Sequence, residues 1–415
     1  MAKKIWVGID WAKKKHSVVV VDERGQVVDD FFVEQSGDGL NGMVAKLKRL
    51  SDSALSDVKV GIELPHGPVV ETLMDSLVQV FSINPKQSDR FRDRYSPAGA
   101  KDDRHDALVL ADSLRTDEGC FRRVEPTEPL VIELRQWSRI TAELQQDITR
   151  YGNRVRQQLE RYYPQFEQAV TDITSAWALE LWNKIPTPAK ARRIHASSIK
   201  TLLKKHRLRK LSANELTSKL QQTPVTVAKG VQEAAVAHIT VLHQQLLLLT
   251  RQHKQAQKKL AELVAKFESE SQGDGGEQSD VTALRSLDGI GNIVIATLIA
   301  EAWQPLQSGD YHALRTLAGV APVTKRSGKS KLVQMRYASN ARLRNAVYHW
   351  ARVASYKEPI STAKYRLYRS HGISHGAALR RIGDSLLKVA CAMLKSGTLY
   401  DPTLRKGYQP LASDI

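Results

Sequence analysis

Ile5-Trp6-Val7-Gly8-Ile9 runs into Asp10, and Val58-Lys59-Val60-Gly61-Ile62 runs into Glu63. Apolar, β-branched stretches this short read as strands, so an acid stands at the end of each. Between them, Lys4–Asp10 is followed by a Val-rich strand over Ser17–Asp22. The turn Glu23-Arg24-Gly25-Gln26 then leads into a returning strand, Val27–Val33. Leu40, Met43, Val44, Leu47 and Leu50 carry helical periodicity over 39–50. Pro68–Val80 reads as a helix with proline near its start, and Val80–Asn84 as a strand closed by Pro85. Residues 102–115 form a last helix whose Ala107, Leu108, Leu110, Ala111 and Leu114 cover a face broadly opposite its acids.

Three strands, helix, strand, helix, strand, helix is an α/β, RNase H-like order, and in that fold the acids gather at one edge of the sheet. Asp103 and Asp106 lie one helical turn apart, and residues at i and i+3 are neighbours on a helix surface. Like charges there repel, which gives a bound cation a reason to exist. Mg²⁺, a hard cation, takes a few carboxylates together with phosphate oxygens. Asp10, Glu63, Asp103 and Asp106 are therefore the candidate metal ligands, with Asp102 an alternative to Asp103 because it lies i,i+4 from Asp106. Two ions held this way bind a scissile phosphate, activate an attacking oxygen and stabilise the leaving one. The attacker is either water or a protein hydroxyl that forms a covalent intermediate.

Charge points to a polyanion. The 415 residues carry net +18 with a pI of about 9.8. Residues 281–415 hold 20 Lys+Arg against 7 Asp+Glu, whereas residues 1–280 hold 42 against 37, so the C-terminal third is the expected nucleic-acid face. Two cysteines, Cys120 and Cys391, exclude a disulfide framework and a Cys-rich zinc site. The N-terminal apolar run is too short for a signal peptide, and no run approaches the ~18 residues of a membrane helix. A cytoplasmic, nucleoid-associated protein is expected, with two or three domains.

Residues 126–268 are almost wholly helical. Glu128–Tyr163 and Val231–Phe267 are long, Gln-rich and amphipathic, as an antiparallel pair or coiled coil would be. Lys200–Lys210 is strongly basic and is either a nucleic-acid contact or a solvated helix face. Glu268–Asp280 is a linker, and a third, mainly α domain spans 281–405. It opens with Asp288-Gly289-Ile290-Gly291 before an apolar helix, Ile293–Ala302, a helix-hairpin-helix style of phosphate contact through Gly289 and Gly291. Ser327 follows, beside Gly328 and among Lys325, Arg326, Lys329 and Lys331, as an exposed hydroxyl where phosphate would sit. Arg336, Arg342 and Arg344 suit bidentate phosphate clamping. His349-Trp350-Ala351-Arg352, with Tyr365 and Tyr368 downstream, has the His-x-x-Arg spacing of a tyrosine recombinase, but that chemistry needs no acidic quartet.

Taken together, Gly8-Ile9-Asp10, the Lys101–Ala107 stretch, Gly319-x-x-Pro322 leading to Ser327-Gly328, and Asn340-Ala341-Arg342-Leu343-Arg344 resemble the DEDD-type transposases of the insertion-sequence 110 family. These are relatives of Piv DNA invertase and are also called bridge-RNA-guided recombinases. The resemblance covers about 1–120 and 281–402, ending in Tyr400-Asp401-Pro402. Glu63-Leu64-Pro65-His66-Gly67 and Ser339 depart from the family pattern without replacing a catalytic group. The resemblance implies a RuvC-like domain over 1–125 whose four acids bind Mg²⁺, and a C-terminal domain supplying Ser327 as nucleophile. It also implies a composite site shared between protomers of a tetramer, and a structured non-coding RNA pairing with donor and target DNA. The expected activity is site-specific DNA recombination through a phosphoserine. The rivals are a RuvC-like hydrolytic nuclease or junction resolvase, and a non-catalytic nucleic-acid-binding protein.

Overall fold

The computed structural model describes residues 4–52, 54–94, 102–125, 127–270, 279–328 and 330–405. The chain divides into two compact units, Met1–Thr127 and Glu128–Ile415. In the first, strands β1 (Trp6–Asp10), β2 (Lys15–Val21) and β3 (Val27–Glu34) are followed by helix α1 (Gly37–Leu50). Then come β4 (Lys59–Ile62), α2 (Pro68–Asp75), β5 (Gln79–Ser82), α3 (Pro85–Arg92), α4 (Asp103–Asp117) and the short β6 (Arg122–Arg123). The sheet order is β3-β2-β1-β4-β5-β6, with β1, β4 and β5 parallel and the other pairings antiparallel.

The two faces of this mixed α/β sheet are covered by different helices. Val7, Ile9, Val18, Val20, Val60 and Ile62 pack with Leu40, Met43 and Leu47 of α1 and Val69, Val70 and Leu73 of α2. Val19 and Val21 point the other way and pack on Ala107 and Ala111 of α4. Side chains alternate along a strand, so a strand covered on both sides is apolar at nearly every position, as the runs into Asp10 and Glu63 are apart from Lys59, which pairs with Glu118. Val7, Ile9, Val60 and Ile62 are fully buried, each contributing about 1.5–3 kcal/mol of transfer free energy.

Two elements differ from the sequence reading. The second helix stops at Asp75 rather than Val80, because Leu77 turns into the left-handed region (φ 64°) and the chain re-enters the sheet at Gln79. Pro85 does not close a strand into a loop; it is the first residue of α3, with Asn84 as N-cap accepting from Lys86 N at 2.9 Å.

The second unit is mostly helical. Helix α5 (Pro129–Tyr162) is followed by five shorter helices: α6 (Pro164–Ala169), α7 (Ala176–Lys184), α8 (Pro188–Ala191), α9 (Ala196–Lys205) and α10 (Ala213–Leu220). Helix α11 (Val231–Glu270) then runs back antiparallel to α5. One end of the pair, Leu130–Leu134 with Leu260–Phe267, joins the C-terminal core; the other, Ile148–Tyr162 with Ala235–Leu246, joins a separate core made by α6–α10. The C-terminal elements are α12 (Asp280–Arg285), α13 (Asn292–Gln307), α14 (Tyr311–Leu317), β7 (Val323–Ser327), β8 (Ser330–Gln334), α15 (Ala341–Lys357), α16 (Pro359–Ser370) and α17 (His375–Ser396). The chain then returns: Glu358, at the start of α16, is 1% exposed and takes a 2.6 Å contact from Arg405 Nη1 and a 3.0 Å hydrogen bond from Tyr400 Oη. Among the described residues no helix is long and apolar enough to cross a membrane.

Candidate active site

Strands β1 and β4 pair in parallel with Gly8 opposite Gly61 and Ile9 opposite Ile62. The two strands therefore reach the same edge of the sheet together, one ending on Asp10 and the other running into Glu63. Both glycines face α4. A Cβ on Gly8 would lie 1.8 Å from Ala107 O and 2.6 Å from Ala111 N, and one on Gly61 would lie 3.0 Å from Leu110 O. Asp10 is two residues beyond Gly8 on the same strand, so it shares the α4 face. Helix α4 runs antiparallel to β1. Its C-terminal half meets the hairpin turn at Gly25 through Asp112 and Arg115, and its N-terminal turn, bearing Asp103 and Asp106, lies toward the Asp10 end. The turn after Asp10 is held by His16, which is fully buried. Its Nδ1 accepts from Ala12 N at 3.2 Å, which makes Nε2 the protonated nitrogen that donates to Gln35 Oε1.

The helix acids have different environments. Asp102 is the N-cap, and its side chain accepts from Arg104 N at 3.3 Å. Asp103 is exposed, whereas Asp106 is 7% exposed. Arg92 of α3, a residue the sequence reading passed over, brings Nε to 2.8 Å from Asp106 Oδ1. Neither atom is aligned for a hydrogen bond, so the contact is one of charge and leaves that buried oxygen with unused acceptor capacity. Four carboxylates, one with an orphaned buried oxygen, are the donor set a hard divalent cation takes. Among the described residues, however, no three of His, Cys, Asp or Glu stand close enough to hold a metal ion. Asp103 faces solvent and the Arg92 guanidinium neutralises Asp106, so the acids share an edge without converging.

Ser327 is not in a loop. It ends β7 of a two-stranded hairpin, opposite Ser330, with the turn at Gly328 (φ 55°). The pleat separates its cationic neighbours: Lys325 shares the face of Ser327, with Leu332 opposite, while Arg326 lies on the reverse face. Val323 is half-buried and Thr324–Ser327 are exposed. Lys329 and the Lys331 side chain lie outside the described residues.

The expected phosphate clamp is largely engaged within the protein. Arg342 Nη2 contacts Glu143 Oε1 of α5 at 3.1 Å, Arg344 Nη1 donates to Ser339 Oγ at 3.3 Å, and Arg336 Nε to Ala321 O at 3.4 Å. Asn340 caps α15 through Leu343 N and donates to Glu301 Oε2 at 2.7 Å. Burial alone would raise the Glu301 carboxyl, but hydrogen bonds from Arg139 and Asn340 outweigh it and hold the group below its ordinary value. Gly289 (φ 81°) is closed in by the fold, since a Cβ there would meet Ala354 N and Val353 Cγ1 at 3.1 Å. Gly291, with open space around it, caps α13 and is the part of the motif accessible to a phosphate.

Comparison with known proteins gives two family matches. Residues 7–164 match the DEDD transposase family of the IS110 type, and residues 281–366 match the family described as Transposase IS116/IS110/IS902. The mini-circle putative transposase for IS117 of Streptomyces coelicolor is 32% identical over 403 residues, covering 92% of each chain. The chain belongs to the IS110 transposase family. An uncharacterized 43.6 kDa protein of the insertion element IS110, also from Streptomyces coelicolor, is 26% identical over 98% of this chain and 97% of its own. The putative transposase y4uE of Sinorhizobium fredii is 46% identical over 209 residues, half of this chain and 58% of that protein. Both matched family segments leave out residues 165–280, which include α7–α10.

Proposed function

We propose that this chain is a Mg²⁺-dependent, site-specific DNA transposase that cuts and rejoins strands through Ser327. The observation carrying this reading is the in-register pairing of Gly8-Ile9 with Gly61-Ile62, which brings Asp10 and Glu63 to one sheet edge beside the N-terminal turn of α4. The strand order, with an antiparallel β1–β3 meander beside parallel β1, β4 and β5, supports an RNase H-like, RuvC-like fold. The antiparallel α5–α11 pair suits a coiled coil.

Asp10, Glu63, Asp103 and Asp106 would hold Mg²⁺, which when bound neutralises the scissile phosphate and polarises its oxygens. Asp102 serves as helix cap, which favours Asp103 as the ligand from that turn. Ser327 Oγ attacks phosphorus; the serine–phosphate ester forms as the phosphate–sugar ester breaks, and the departing sugar oxygen takes up a proton. Lys325, on the Ser327 face, stabilises charge on the phosphate. A free hydroxyl of another strand reverses the attack, so the ester conserves the bond energy and no ATP is needed. A homotetramer and a structured guide RNA pairing with donor and target DNA rest on the family resemblance alone.

The test is covalent trapping. Protein, flanking RNA transcript, end-labelled donor and target DNA, and Mg²⁺ are incubated and run on a denaturing gel beside Ser327→Ala and Asp10→Ala. The expected result is a protein–DNA adduct in wild type that both variants lack. Free cleaved ends in wild type and in Ser327→Ala, with no adduct, establish the hydrolytic nuclease instead.

A further inference from the structure

The basic density of this chain is not confined to its C-terminal third. Residues 184–210 contain ten Lys+Arg and no Asp or Glu, so the remainder of residues 1–280 holds 32 against 37 and is net acidic. All ten of these side chains are exposed. The segment runs from the end of α7 through α8 and α9 and lies outside both matched family segments.

The segment is built, not a loose charged tail. Ile185, Ala191, Ile199, Leu202 and Leu203 are buried in the core shared with the distal parts of α5 and α11. The Arg192-Arg193 turn is latched from beneath by Gln221, whose Nε2 lies 3.2 Å from Ala191 O, 3.4 Å from Arg192 O and 3.0 Å from Ile194 O. Arg207 sits in the left-handed region at φ 56°, a conformation that costs a non-glycine residue free energy and is kept only where the surroundings impose it. Glu180 clips Lys205 at 2.8 Å and His206 at 2.9 Å just before that turn. Among the described residues it is the only carboxylate in ion-pair range of any of the ten cations. Lys204 and Lys205 complement the C-terminal dipole of α9, which accounts for two of the ten and not for the rest.

We infer that the exposed basic surface of the α7–α9 segment binds the phosphate backbone of duplex DNA, independently of sequence. Ten exposed cations without acids match a polyanion. Binding of single strands and RNA loops relies on exposed aromatic platforms, and this segment contains no Phe, Tyr or Trp. Spacing fits a duplex as well. Leu134 of α5 lies in the C-terminal core and Val155 in the distal one. The intervening helix spans ~30 Å, close to the ~34–36 Å of one DNA turn. A duplex engaged by the C-terminal domain and running along α5 would meet a second backbone contact about one turn away. This inference goes beyond the serine and metal chemistry proposed above and stands or falls separately from it.

The test uses the full-length chain without Mg²⁺, so that neither Ser327 nor the acids bear on the readout. Arg192, Arg193, Arg207 and Arg209 are replaced together by Gln, and in a second variant by Lys. Binding to a 40-base-pair random DNA duplex, the equivalent RNA duplex and single-stranded DNA is followed by fluorescence anisotropy across salt concentrations. Each lost phosphate contact removes about 0.9 from the slope of log K against log salt, so the Gln variant should lose about 3–4 and bind the DNA duplex at least ~10-fold more weakly at 0.1 M salt. The Lys variant should keep wild-type affinity within about threefold, since it retains the charges. An unchanged slope and affinity in a folded Gln variant overturns the proposal. So does a loss confined to the RNA duplex or to single strands.

Discussion

The close approach of α4 to the sheet can be tested at one atom. In Gly8→Ala the new Cβ would sit 1.8 Å from the Ala107 carbonyl oxygen and 2.6 Å from Ala111 N, both backbone atoms of a helix that cannot swing aside as a side chain does. Restoring ordinary van der Waals separation requires α4 to lift by ~1.5 Å, and overpacking of this kind costs at least about 1–3 kcal/mol. For a unit of this size that is a fall of at least ~4–10 °C in the transition of the N-terminal unit. The same lift carries Asp103 and Asp106 away from Asp10, and ~1 Å of misplacement at a reacting centre costs on the order of 100-fold in rate. Gly61→Ala meets a flexible methyl, Ile83 Cδ1, at 2.9 Å and Leu110 O at 3.0 Å, so its loss should be smaller. Gly119→Ala meets open space and should be near neutral. Thermal unfolding of the three full-length variants, with strand cleavage measured in parallel, gives the ranking. A Gly8→Ala protein as stable and as active as Gly119→Ala would refute the packing argument.

Four further outcomes follow from particular contacts. Glu358→Ala leaves Arg405 buried without its partner and should cost about 3–5 kcal/mol in a urea titration, whereas replacing both by apolar residues should cost far less. Burial pushes the Glu358 carboxyl up, but the hydrogen bonds from Ser361 and the Arg405 charge outweigh it and set the group below its ordinary value. Its stabilisation is therefore full above a pH of about 4.3 and lost as pH falls through the lowered value, so the wild-type advantage over Glu358→Gln should shrink in that window. Asn340→Ala removes a helix cap and one partner of Glu301 together, for a loss of roughly 1–3 kcal/mol by denaturant unfolding. Arg92→Gln removes the cation facing Asp106 and should tighten divalent-ion binding measured by calorimetry; weaker binding would show that Arg92 supports the acids rather than competing for them.

Much of the N-terminal unit was legible because its signals are local. Strands buried on both faces are predominantly apolar, and the runs ending on Asp10 and Glu63, with Lys59 the one charged position, gave themselves away on that ground. The repeated Gly-Ile-acid at Gly8-Ile9-Asp10 and Gly61-Ile62-Glu63 was also readable, but its meaning lies in the register that sets the two copies side by side. Helix α3 was missed because Pro85 serves equally to end a strand and to start a helix, and Arg92 was missed with it. The β7–β8 hairpin was missed because Thr324-Lys325-Arg326-Ser327 is polar on both faces and shows no alternation to read. Arg342 and Arg344 look like phosphate ligands by type, yet Glu143 and Ser339, which engage them, come from a distant helix and from the turn before α15.

By itself the sequence determined the α/β order, the acids at two strand ends, the helical middle and the concentration of positive charge, since each depends on residues close together in the chain. Tertiary structure alone decided which acids share an edge, that a guanidinium rather than a third carboxylate stands against Asp106, and which cations are already paired. Those are questions of register and of side chains meeting across long separations, where a hydrogen-bond ladder and a helix resting on two glycines set the distances that local pattern does not contain.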